Sequence, residues 1–137
     1  MKKILGIIVT FLLVTNAYPL MAASSGNDAP TSGPGYLELK PPFVVNIRDG
    51  NKLRFLQAEI QFKLSDMKKS EELLHHESII RHTMLVLLSE QEANDLYSAT
   101  GKERLRKNAL EELREALKAE IADIPIEDMY FTNFIIQ

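Results

Sequence analysis

The chain has 137 residues, room for one domain, and carries 16 Lys plus Arg against 19 Asp plus Glu, a formal charge of −3. That balance argues against nucleic acid as the main partner, because binding phosphates needs a concentrated basic surface. Cysteine is absent, which excludes disulfides, thiol catalysis, thiolate metal sites and a lipidated cysteine anchor.

The first element is "MKKILGIIVTFLLVTNAYPLMAASS". Lys2 and Lys3 make a positive front, Ile4 to Val14 make an apolar run, and Asn16, Tyr18 and Pro19 break it before Ala22 and Ala23. This is the three-part plan of an export signal. Cleavage is expected between Ala23 and Ser24, with Ala17 and Ala22 as alternative cleavage points. The competing reading is a retained membrane anchor. The unbroken run reaches only about 16 Å as a helix, against a hydrocarbon core of about 30 Å. Extension to Ala23 spans the core but carries Asn16 and Pro19 inside. Residues 1–23 are therefore expected as a signal peptide or an N-terminal anchor, with the rest outside the cytoplasm. Loss of Lys2 and Lys3 would leave 14 basic against 19 acidic residues, a charge of −5. "SSGNDAPTSGPG", residues 24–35, has no large apolar side chain and is expected as a flexible linker.

From Tyr36 the pattern changes. "YLELKPPFVVNI" is apolar and extended, and Pro41 and Pro42 exclude a helix interior. "RDGN" supplies turn chemistry at Asp49-Gly50. In "FLQAEIQFKLSD", Leu56, Ala58, Ile60, Phe62 and Leu64 alternate with Gln57, Glu59, Gln61 and Lys63. That period of two predicts a long strand in a sheet with one wet face. "SEELLHHESIIRHTMLVLLS" predicts one helix with an apolar stripe of Leu73, Leu74, Ile80, Met84, Leu85, Leu87 and Leu88. Glu77 and Arg81 fall inside that stripe at a spacing that lets them neutralise each other.

Ser89 to Glu92, "SEQE", predicts a capping box before a short helix. Thr100 is the expected cap of the last helix, "GKERLRKNALEELREALKAEI", whose stripe runs Leu105, Ala109, Leu110, Leu113, Ala116, Leu117 and Ile121. Pro125 closes the helical region, and Glu127 to Gln137 reads as a strand. The order of strand, strand, helices and strand predicts an α+β domain over residues 36–137.

No catalytic grouping emerges. "HHESIIRH" lacks the zinc-protease pattern, since Ile80 stands four residues after His76. His75 and His82 share a face but lie about 10.5 Å apart along the axis, too far for one ion with bonds of about 2 Å. Glu71-Glu72 and Glu111-Glu112 lie on solvated helix faces, where carboxylates keep ordinary acidity. Gly33 and Gly35 sit in the linker and Gly50 in a turn, so no phosphate loop is present. Ser65, Ser78 and Ser89 have no recognisable nucleophile context. Neither an enzyme, a cofactor nor a metal is expected. Arg106 falls inside the apolar stripe of the last helix. It is either a snorkelling side chain covering the core edge or a charge reserved for a partner chain.

Three blocks, "PFVVNI" followed by the alternating strand, "IIRHTMLVLLSEQEANDLYSATGKERLR" and "MYFTNFIIQ", resemble the flagellar basal-body-associated FliL family. The resemblance spans Tyr36 to the end, and its motif positions here are Pro42, Phe43, Asn46, Arg81, Gly101, Leu105, Phe131, Phe134 and Gln137. It implies a stomatin-like periplasmic domain with a small antiparallel sheet packed against two or three helices. It also implies a homo-oligomeric ring around the flagellar stator units at the inner membrane, supporting torque, swimming or swarming. Family members commonly end at this aromatic-rich strand, which implies a strand held along its length with an edge open to a neighbour. Two features depart from the family: the signal-like N-terminal segment, and His82 where an acidic residue is common. A stomatin-like scaffold or binding module unrelated to motility is the alternative reading.

Overall fold

The alternation in "FLQAEIQFKL" becomes the middle strand of a three-stranded antiparallel sheet. The computed structural model describes residues 32–137, so the expected cleavage point at Ala23 and Ser24 and most of the linker lie outside the described residues. In chain order the elements are β1 (Gly35–Asp49), β2 (Lys52–Leu64), α1 (Ser70–His75), α2 (Glu77–Ser89), α3 (Ala93–Leu96), α4 (Ala99–Leu117) and β3 (Ile126–Ile136). The sheet order is β1-β2-β3. The domain starts slightly before the composition shift at Tyr36. Met67 N–H donates to the Gly33 carbonyl at 2.8 Å, Gly33 N–H donates to Asp66 Oδ1 at 3.2 Å, and Gly35 already belongs to β1.

Burial follows the period of two. Leu56, Ala58, Ile60, Phe62 and Leu64 are wholly buried, joined by Leu39, Phe43 and Ile47 of β1 and Ile126 and Met129 of β3. Each large apolar side chain removed from water in this way stabilises by about 1.5–3 kcal/mol. The alternate β2 residues face away from the helices, as expected of an antiparallel sheet with one covered face. The β1–β2 turn uses Gly50 at φ +61°, a left-handed conformation that favours glycine. Arg54 secures the turn through Asp49 at 2.9 Å.

The helical layer departs from the expected pattern in three places. The single helix expected over Ser70 to Ser89 is divided at His76, whose φ of −98° and ψ of 19° separate α1 from α2. The buried set on α2 is the narrow line Ile80, Met84 and Leu88, so Leu74 and Leu85 of the expected stripe are exposed. Ser89 opens no capping box: it ends α2, and its hydroxyl donates to the Val86 carbonyl at 2.8 Å. Glu92 precedes α3 without a side-chain cap bond.

The cap of α4 is Ser98 rather than Thr100, with Ser98 Oγ accepting from Gly101 N–H at 2.9 Å. α3 approaches closely at this first turn: a Cβ at position 101 would overlap the Asp95 carbonyl oxygen, so only glycine fits there. The helix then ends at Leu117, yet Ile121 remains buried.

Candidate interaction surfaces

Pro42, Phe43 and Arg81 come together where β1 leaves regular pairing. The β1–β2 register shifts between Leu39 and Phe43, so the Lys40-Pro41-Pro42 segment bulges away from β2. Arg81, reaching from α2, donates to the Pro41 carbonyl at 2.9 Å and meets Glu77 Oε1 at 3.3 Å. Its guanidinium also lies 4.6 Å from the centre of the buried Phe43 ring, within cation–π range. A charge inside an apolar stripe is thus met by a carboxylate, a carbonyl and an aromatic face.

Arg106 is held within the chain in a similar way. It donates twice to Glu103, both at 2.7 Å, pairs with the Asp128 carboxylate and donates to the Met129 carbonyl at 3.3 Å. The network ties α4 to β3. Hydrogen bonding from Arg106 holds the Glu103 carboxyl below its ordinary range. Burial pushes the Asp128 carboxyl up, but the Met129 N–H, the Tyr130 hydroxyl and Arg106 together pull it below the usual value. Arg106 itself is raised, first by its bond to Glu103. Arg114, which the sequence reading did not single out, adds a second tie by donating to the Ile126 carbonyl at 2.9 Å and the Glu127 carbonyl at 2.8 Å.

The remaining motif positions divide between core and rim. Leu105 and Gly101 are buried in α4. Phe131 and Phe134 are half-buried and pack edge-to-face at 5.1 Å, with Lys102 over the Phe134 ring at 5.4 Å. Asn46 and Gln137 are exposed. Gln137 exchanges both backbone hydrogen bonds with Phe55, each at 2.9 Å.

His75 and His82 are exposed and His76 is half-buried. The His75 and His76 rings meet edge-on at 5.4 Å. Among the described residues no three His, Cys, Asp or Glu side chains converge to hold a metal ion. His82 lines an open groove of about 370 Å³ between α2 and α4, with Thr83, Val86, Glu90 and Glu112. Such a volume falls in the range of small-molecule sites, but this groove is open and bordered by charged and polar side chains. Among the described residues, no helix is long and apolar enough to cross a membrane.

The face of the sheet turned away from the helices is only partly polar. Val44, Gln57 and Ile135 form one cross-strand row, and Phe55 stands in the next row of β2. Val44 and Phe55 are 57% and 62% exposed, and Ile135 is 37% exposed. Scattered apolar residues are ordinary on a surface, and large contiguous apolar patches are what mark contact areas.

Comparison with known proteins agrees with the resemblance in the sequence. The family model described as flagellar basal body-associated protein FliL matches residues 36–137. The flagellar protein FliL of Aquifex aeolicus (strain VF5) is 25% identical over 100 residues, covering 73% of this chain and 60% of that relative.

Proposed function

The chain belongs to the flagellar basal body-associated FliL family, and from that membership we propose that it is a non-catalytic accessory of the flagellar motor. In this reading it works on the periplasmic side of the inner membrane, beside the stator units. It self-assembles into a homo-oligomeric ring there and supports torque for swimming or swarming. One observation carries the proposal: the match begins at Tyr36 and runs through Gln137, taking in almost the whole folded unit from β1 to β3. A function shared with the family then resides in the surfaces of this domain.

The arrangement of charge supports a bracing role. Besides their contacts within their own helices, Arg81 and Arg106 each donate to a strand, tying α2 to β1 and α4 to β3. The exposed Val44, Phe55 and Ile135 offer apolar area to a partner. Deletion of the gene, with spreading scored in soft agar and in viscous medium, tests the reading. The expected result is reduced spreading, more severe under viscous load and restored by the intact gene. Normal spreading in both media would favour a scaffold unrelated to motility.

A further inference from the structure

Helix α2 carries its charge on one side only, the side that the fold already occupies. Its two charged side chains, Glu77 and Arg81, pair with each other, and Arg81 reaches on to the Pro41 carbonyl of β1 at 2.9 Å. Ile80, Met84 and Leu88 form its buried line. The opposite face runs Ser78, His82, Leu85 and Ser89, at the spacing of one helical side, with Val86 beside them. These residues are exposed, yet none is a carboxylate, an ammonium or a guanidinium. Leu85 and Val86 are 39% and 43% exposed. By contrast, α4 meets solvent with Glu103, Arg104, Lys107, Glu111, Glu112 and Glu115, the usual pattern of a surface helix. Helices apolar on both sides are ordinarily covered on both, and the fold covers only one side of α2.

Along that uncharged face lies the groove of about 370 Å³ lined by His82, Thr83, Val86, Leu87, Glu90 and, from α4, Glu112. Its α2 members, His82 to Glu90, run about 12 Å along the axis, just over two helical turns. Val86 and Leu87 supply apolar surface, and Glu90 and Glu112 supply two carboxylates. Among the described residues neither carboxylate has an ion-pair partner, whereas Glu77, Glu103, Glu115 and Glu127 are all paired.

We propose that this groove docks a helix of another protein, apolar along the face laid on Val86 and Leu87 and carrying Lys or Arg where it passes Glu90 and Glu112. Three observations favour that occupant. The lining residues recur at one-turn spacing, which suits a helix anchored in a groove through its i, i+3 or i+4, and i+7 side chains. The unpaired carboxylates call for cations, and opposite charges across a contact select the partner and speed its encounter. A second copy of this chain fits poorly, because a two-fold contact on the groove brings two acidic rims together, and like charges so placed are costly. The contact is heterologous and separate from the self-assembly in the proposed function, so a binding measurement tests it apart from any role in motility.

The probe is a synthetic helical peptide with Leu on one face and Lys on the other, added to the purified chain as the cell processes it. Two peptides serve for comparison: one of identical composition shuffled to abolish the apolar face, and one with Glu in place of Lys. Fluorescence anisotropy is expected to show binding of the first alone. Glu112→Lys should weaken it on the order of tenfold, and Val86→Asn should weaken it severalfold by removing apolar contact without adding charge. Glu38→Lys, the same charge change on the outer sheet face, should leave it within about twofold at physiological salt. Glu90→Lys combined with Glu112→Lys should admit the Glu peptide that wild type refuses. Amide shifts of the labelled wild type should move at Thr83, Val86, Leu87 and Glu112, and stay fixed at Val44, Phe55 and Ile135. No binding, equal binding of the shuffled peptide, shifts centred on the sheet, or indifference to both Glu112→Lys and Val86→Asn would each overturn the proposal. So would the loss of a wild-type oligomer, with peptide binding intact, in Val86→Asn, which would assign the face to a second copy.

Discussion

Arg106 occupies an angular position on α4 that an apolar side chain would otherwise fill, and Glu103, Asp128 and the Met129 carbonyl receive it. Arg106→Ala should lower the unfolding free energy by about 1–2 kcal/mol in urea titrations, since partly exposed charged hydrogen bonds contribute moderately. Arg106→Lys should recover only part of that loss, because an ammonium lacks the planar fork that serves several acceptors at once. The same network predicts a pH dependence. The Asp128 and Glu103 carboxyls lie below their ordinary values of 3.8 and 4.5. Their contribution is therefore present above those values and lost as pH falls through the lower folded ones. Stability should decline on acidification below about pH 4.5, and Asp128→Asn should flatten that acid limb. Gly101→Ala tests a different constraint. The added methyl meets the Asp95 carbonyl, so a loss of about 1–3 kcal/mol is expected although alanine is the better helix former.

At the scale of elements, the register of β2 makes a sharp comparison possible. Ile60→Asp puts a carboxylate among wholly buried neighbours and should cost about 4 kcal/mol or more. Gln61→Asp, on the opposite face, should cost less than about 1 kcal/mol, and thermal unfolding of the two variants checks the difference. The strand was legible because a period of two needs only the sequence. The break at His76 was not, because the apolar stripe continues across it while the backbone does not. Nor was the choice of Ser98 over Thr100, since both are good cap residues ahead of the same apolar stripe. Among the candidate residues, Arg81 and Arg106 stood out as charges on apolar faces. Their principal contacts, Pro41 with Phe43 and Asp128 with Met129, depend on which strand each helix crosses, and no local pattern encodes that. Glu77 was the exception, being one helical turn from Arg81.

At the scale of the whole molecule, the fate of the N-terminal segment is open to direct measurement. Intact-mass analysis of the native protein is expected to give a chain starting at Ser24, while a mass for residues 1–137 would establish a retained segment. In either case the chain approaches the sheet at Gly33, beside the Gly35–Leu64 end of the β1–β2 ladder. The Phe134–Ile136 segment lies toward the other end of the strands, paired with Ala58 to Leu56. A pull between these two points runs along the strands rather than across them. The ladder is then loaded in shear, with its hydrogen bonds sharing the force, instead of being opened one rung at a time. Tension applied from Gly33 against a grip near Ile135 would meet the mechanically stronger direction of the sheet, whereas a grip near Ile126 would peel it from one end.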